Sequence, residues 1–351
     1  MGNRSLDEIH NRAESLIEVD GVHVPLRFGE VADEYAAFRV GAALVDRSHL
    51  GRIEQSGADA IDLLHRLSTA DIESLAEGEA RRTILASERG RILDVFTVVR
   101  RAERPLLLLT SGAFKNLLLE KIEFYTITED STLEDVSATT AQLAIAGPGS
   151  AAVMSDLSGA SVASLPAGRH TEVVIGGDRV LVIAASDGIN PRFDLILDAD
   201  SASGVWDAIT SAGALPVGRE AAEAYRVEIG VPTAGREISE RINPLEADLL
   251  DLIDFDKGCY IGQEVIARLD TYDKVQRKLV GLQAMGGLSE GDLLQSDGRE
   301  IGWTATVVDS PAFDGLIALG FVRNEHAEDG TRLATEAGIE VMVCDLPMDP
   351  A

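Results

Sequence analysis

Cysteine is almost missing from this chain: Cys259 and Cys344 are the only two in 351 residues. Two thiols exclude a disulfide framework in a chain of this size. They also cannot supply the four thiolates of an iron–sulfur cluster or a structural zinc site. The six histidines, at 10, 23, 49, 65, 170 and 326, are scattered with no pair at helical metal-ligand spacing, so no permanently bound metal is expected. Long apolar runs are missing too; none approaches the roughly 18 residues needed to span a bilayer. The opening MGNRSLDEIHNRAESL has no apolar stretch of a secretory signal, and Leu6 stands where N-myristoylation requires Ser or Thr. A cytoplasmic protein is expected. Basic residues are scarce, 31 against 59 acidic ones, giving a net charge of −28. A field of that sign repels phosphate backbones and disfavours nucleic-acid binding. It is equally the mark of an acidic, salt-adapted proteome, which says nothing of function.

What is present is ordinary globular material, 45% hydrophobic and 26% charged, with length for two or three domains. The pattern predicts a helix over Val31–Val40, strands at Ala43–Asp46 and 51–55, and a helix carrying Ile61, Leu64 and Leu67. Three β-like runs follow (RRTILAS, RILDVFTVV, PLLLLTS), then a helix over 113–124, and a helix opened by Pro148. TEVVIGG and RVLVIAA read as a hairpin, FDLILD as a strand, and 204–212 and 220–228 as helices. After Lys278 only short strands and turns remain, which suits a small antiparallel barrel. The fold class is therefore α+β with a C-terminal all-β domain. The divisions expected are 1–144, 145–275 and 276–351; 50–145 and 145–230 echo one another weakly, and the first two divisions can interleave.

The stretch KGCYIGQE, residues 257–264, holds one of the two cysteines between a glycine and an aromatic. Helical periodicity starts near Ile261, with Val265, Ile266 and Leu269 on one face, so Cys259 falls just before a helix N-terminus. Free N–H groups and the positive dipole end there favour a thiolate. Lys257 adds a cation, while Asp254 and Asp256 push the other way. The opposing reading is a tight loop that packs Cys259 and Tyr260 inward. Gly258 and Gly262 would permit positive φ or close approach of another chain. Cys344, in VMVCDL, reads as a core thiol. Segment 81–104 carries seven of the chain's arginines (81, 82, 89, 91, 100, 101 and 104). Such a local reversal of sign suits an anionic ligand tail or an acidic partner surface; solvated hairpin positions are the plain alternative.

Residues 225–265, YRVEIGVPTAGREISERINPLEADLLDLIDFDKGCYIGQEV, resemble the shared segment of the folate-dependent superfamily that contains the glycine-cleavage T-protein. The matching elements are Arg226-x-Glu228-x-Gly230, Asn243-Pro244-Leu245-Glu246-Ala247 and Gly262-x-Glu264. Residues 45–94 resemble the family's D-x-S-x-x-G…G-x-x-x-D layout, and GREIGWTATVVDSPAFDGLIALGFVR resembles its barrel, so the likeness spans nearly the whole chain. Within the superfamily, all eight positions of KGCYIGQE fit the signature of YgfZ-type folate-binding proteins of iron–sulfur cluster assembly and repair. T-proteins usually show Phe-x-Gly-Lys/Arg-Glu there, and Gly-Gly-x-x-Asp-Asp where this chain has Gly90-Arg91-Ile92-Leu93-Asp94-Val95, keeping one aspartate and losing the next.

The resemblance implies a T-protein-like body of two related α+β (ferredoxin-like) units, a bound tetrahydrofolate, and iron–sulfur client or assembly proteins as partners. Cys259 would be the reactive or cluster-contacting thiol. Glu228, with Tyr225 and Arg226 beside it, would hold the pterin edge; an ion pair of Glu228 with Arg226 or Arg219 is the alternative. Asp94, placed at the end of a strand, is a second folate-side candidate and the acid that a one-carbon transferase would use. Aminomethyl transfer or demethylation is the rival activity. A thiol redox protein is weakened by the absence of a C-x-x-C pair.

Overall fold

A computed structural model describes residues 4–272, 275–284 and 286–350. Three β assemblies dominate the described chain. A six-stranded sheet runs in the order His170–Ile175, Asp178–Ser186, Pro191–Asp198, Thr140–Ala146, Ala43–Asp46 and Leu215–Val217. A five-stranded sheet runs Glu79–Ala86, Ile92–Arg100, Leu106–Thr110, Gly51–Ser56 and Thr132–Asp135. A closed antiparallel barrel takes Arg277–Ala284, Gly315–Arg323, Arg299–Ser310, Leu293–Ser296, Arg332–Thr335 and Glu340–Cys344. This is the expected T-protein-like architecture, mixed α and β with a C-terminal barrel.

Local chemistry explains the hairpins. Three pairs of strands are joined by two residues that both take positive φ: Asp20-Gly21, Gly176-Gly177 and Asp297-Gly298. Positive φ at both central positions is what a type I′ turn requires, and Asp-Gly or Gly-Gly supplies it at least cost. The first of these closes a ribbon, Ser15–Val19 with Val22–Arg27, which the periodicity did not reveal although VDGV is a strong hairpin signal.

By its contacts the chain divides into two compact units. The first takes residues 1–64, 71–82 and 96–222; the second takes 65–70, 83–95 and 223–351. In the first, Leu44, Leu143, Ile145, Val182 and Leu195 of the six-stranded sheet bury themselves with Val205, Trp206 and Ile209 of helix Ala202–Ser211. Val99 and Leu107 of the five-stranded sheet pack with Leu181, Ile183 and Ile196 of the six-stranded one. Each such side chain contributes about 1.5–3 kcal/mol when fully removed from water. The fully buried Arg52 donates to Leu50 O at 2.7 Å and Ser48 O at 3.1 Å, pinning the loop after Ala43–Asp46. Burial pushes its pKa down to about 10. In the second unit the barrel encloses Val280, Leu282, Leu294, Val322, Val341 and Val343. Among the described residues no helix is long and apolar enough to cross a membrane.

Candidate functional site

Every residue that the sequence singled out for chemistry, Asp94, Tyr225, Arg226, Glu228 and 257–264, falls in the second unit. The KGCYIGQE loop is built from its charged ends inward. Asp254 accepts from the backbone N–H groups of Asp256 (2.9 Å) and Lys257 (3.1 Å), which closes the turn. The Lys257 ammonium donates to the carbonyls of Ser68 (2.6 Å), Ala70 (2.9 Å) and His65. The Asp254 carboxylate thus faces backbone N–H groups, and the Lys257 ammonium faces carbonyls. Helix Gln263–Thr271 follows, with Gly262 at its N-cap and φ of 82°. A Cβ at Gly262 would lie 2.4 Å from Ser87 O, and one at Gly90 would lie 3.1 Å from Val265 Cγ1. Both glycines exist because the 87–91 turn seats directly on the start of this helix. The two readings of the motif split between neighbours: Cys259 is exposed, whereas Tyr260 is 7% exposed. The Tyr260 hydroxyl is buried with no hydrogen-bond partner, and burial, then Asp254, pushes its pKa up to about 12.

Asp94 is the third residue of strand Ile92–Arg100, near its beginning and not its end, and is fully buried. It accepts the N–H of Val95 at 2.8 Å. The strand is anchored by the Asn-Pro-Leu-Glu-Ala segment. Ile92 N–H donates to Ile242 O at 3.0 Å, and Arg91 donates to Arg241 O (2.9 Å) and Glu246 (3.1 Å). Asn243 Oδ1 accepts from the N–H groups of Leu245 and Glu246, both at 3.0 Å, which makes the turn after it.

Helix Arg219–Glu228 carries the third group. Tyr225 and Glu228 are buried, Glu228 completely, and its carbonyl accepts from Met348 N–H at 2.8 Å. Arg226 is spent within the protein. Its Nε donates to Glu223 (3.2 Å), its Nη1 to Val231 O (2.6 Å) and Glu237 (3.2 Å), and its Nη2 to Glu223 and Thr306 (both 3.1 Å). A guanidinium has five N–H donors, and all five find acceptors here. Burial alone would lower its pKa, but Glu223 and Glu237 outweigh it and hold the group above its ordinary value. Arg226 thus fixes the helix end that presents Glu228 and has no N–H left for a ligand.

The arginine-rich segment is likewise consumed at home. Arg81 donates to Asp71 O and to Ser74 (2.9 Å), and Arg100 to Leu75 O (2.6 Å). Arg101 pairs with Glu54 (2.6 Å), Arg104 with Glu172 (2.8 Å) and Arg91 with Glu246, while Arg89 at the turn is exposed. The charge reversal that the sequence offered to an anion is mostly internal pairing. Sequence reasoning missed one cluster, in the first unit. Asp194 accepts from Arg47 (3.1 Å) and Arg192 (3.0 Å), and the arginines hold its pKa below the ordinary value against the opposing effect of burial. The available signal was an acid inside the apolar run FDLILD. No group of three or more His, Cys, Asp or Glu that could hold a metal occurs among the described residues.

Residues 7–257 match the GCVT N-terminal domain, and residues 277–349 match the glycine cleavage T-protein C-terminal barrel domain. The chain belongs to the glycine cleavage T-protein family. Among curated relatives, a putative chloroplastic transferase of Arabidopsis thaliana is 32% identical over 89% of this chain and 72% of its own length. The aminomethyltransferase of Geobacillus kaustophilus is 31% identical over 91% of this chain and 90% of its own. The crystal structure of the glycine cleavage aminomethyltransferase T from Bartonella henselae shares the fold: TM-score 0.86 at 24% identity, covering 99% of this chain and 97% of that one. For this T-protein family chain, the likeness to an aminomethyltransferase thus runs end to end and is not confined to the barrel.

Proposed function

We propose that the chain binds a reduced folate and carries out T-protein-type one-carbon transfer from an amine. The observation that carries this reading is the match to relatives named aminomethyltransferase along about nine-tenths of both chains. The buried groups suit it. A pterin ring presents an N–H edge and an amino group, and Glu228, a fully buried carboxylate, is an acceptor for such an edge. Asp94, equally buried, is the acid available to exchange a proton with the nitrogen that takes up the one-carbon unit. A bound tetrahydrofolate supplies that nitrogen. Arg226, saturated by Glu223 and Glu237, holds the Glu228 end of its helix in place.

Calorimetry with 5-formyltetrahydrofolate, followed by an assay of methylenetetrahydrofolate formation from an aminomethyl donor, tests this reading. Glu228→Gln should weaken folate binding. Asp94→Asn should keep the affinity and lower the transfer rate about 10²- to 10⁴-fold, the usual contribution of a positioned acid or base. A wild-type protein that binds no reduced folate ends the proposal.

A second reading, a YgfZ-type helper for assembly or repair of iron–sulfur enzymes, rests on the exposure of Cys259 beside an inward Tyr260. One thiol cannot hold a cluster, so any cluster contact is transient or shared with a client. Cys259→Ala in a strain lacking the protein decides it: loss of rescue of an iron–sulfur enzyme deficit favours this reading, and full rescue refutes it.

A further inference from the structure

In the first unit, Arg47 and Arg192 share a single carboxylate and keep most of their N–H donors. Arg47 Nη1 donates to Asp194 Oδ1 at 3.1 Å, and Arg192 donates to Oδ2 through Nε (3.2 Å) and Nη2 (3.0 Å). Among the described residues, one N–H of the Arg47 guanidinium and two of the Arg192 guanidinium are thus engaged, where each has five. The carboxylate lies underneath: the Asp194 side chain is 9% exposed, against 31% for Arg47 and 24% for Arg192. A solute can therefore reach the arginines, with Asp194 backing them.

The sheet register explains the pairing. Asp194, Ala144 and Val45 stand side by side on neighbouring strands. Arg192 precedes Asp194 by two residues and shares its face, and Arg47 leaves the sheet two residues after Val45. That face meets the five-stranded sheet, since Ile183, the partner of Asp194, packs with Val99 and Leu107. Arg82 comes from the second sheet, two residues along its strand from Ala80, which packs against the same cluster. Burial lowers the Arg47 pKa and Asp194 raises it, while the like charges of Arg192, Arg219 and Arg82 add to the lowering. Asp194 neutralises one guanidinium, and Arg47 and Arg192 carry two charges.

We infer that Arg47 and Arg192 form a binding site for the carboxylate of a small molecule, which takes the N–H groups that Asp194 leaves. A guanidinium fork and a carboxylate match in plane and spacing, and one further negative charge balances the pair. A polyanion does not suit the place, because the net charge of −28 repels it. The site does not depend on the folate reading, since its residues all lie in the first unit.

Acetate titrated against the full chain at fixed ionic strength, followed by saturation-transfer NMR, tests this, with inorganic phosphate run beside it. The wild type should bind acetate saturably and more tightly than phosphate. Arg47→Gln and Arg192→Gln should each weaken acetate about 10-fold, the loss of one hydrogen bond between charged groups. Asp194→Asn, which removes the internal competitor, should tighten it. Arg192→Lys keeps the charge beside Asp194 and serves where the glutamine variant does not fold; without the fork, acetate should still bind more weakly. No saturable acetate binding, tighter binding of phosphate than of acetate, or one Kd shared by the wild type and the folded arginine variants overturns the inference.

Discussion

Arg226 and Tyr260 sit on the same compact unit, both largely enclosed by protein, and their polar atoms meet opposite fates. All five N–H donors of Arg226 have acceptors, two of them carboxylates, whereas the Tyr260 hydroxyl has none. Charge separates the two. A charge is expensive to bury alone, so a guanidinium inside the protein arrives with its partners. A buried neutral hydroxyl without a partner costs less, about 1–3 kcal/mol.

The comparison breaks most visibly at Arg226. Arg226→Ala leaves the completely buried Glu237 without its cation, and urea unfolding should show a loss of about 3–5 kcal/mol. A loss below about 1 kcal/mol would mean that the cluster is not holding the helix end. Tyr260→Phe, which removes a buried hydroxyl without a hydrogen-bond partner, should instead raise Tm by roughly 2–4 °C in a thermal melt. Lys257 lies between these extremes, a cation whose ammonium donates to three carbonyls. Lys257→Met should cost about 1.5–3 kcal/mol by the same measurement. A neutral outcome would show that the three carbonyls find water as readily as they find the ammonium.

The smallest effect separates the two cysteines. Cys259 is exposed, whereas burial, then the charge of Asp329, pushes the Cys344 thiol up. A raised pKa means a smaller thiolate fraction at any given pH. In the native protein at pH 8, iodoacetamide should therefore alkylate Cys259 at least about tenfold faster than Cys344, with the gap narrowing as pH rises. Peptide mass spectrometry reads both sites; equal rates at pH 8 would contradict the assignment.

Much of the fold was legible because it depends on short-range pattern. The strand over Gly315–Arg323 and the helix over Val31–Val40 fall where apolar spacing predicts them. The ribbon closed by Asp20-Gly21 was equally legible from its turn, but its strands expose Leu16, Ile17 and Val22 and show no clean alternation to draw notice. In the site, the motif itself could be found by resemblance, while its orientation could not. Cys259 is exposed and Tyr260 buried in a loop whose Lys257 is anchored on carbonyls of residues 65–70, far back in the chain. The arginine run shows the same limit: its sign was readable, but its acceptors, Glu54 and Glu246 among them, lie 47 and 155 residues away.

The hairpin turns, the longer barrel strands, the poverty of thiols and the family segments are legible in the chain alone, because each is a property of neighbouring residues. That Arg226 and most of the arginine run are already paired, that Asp94 and Glu228 are wholly enclosed, and that the buried Tyr260 hydroxyl has no hydrogen-bond partner came from the folded arrangement. Burial and pairing depend on which distant segments meet, and a residue's charge or hydropathy does not carry that information.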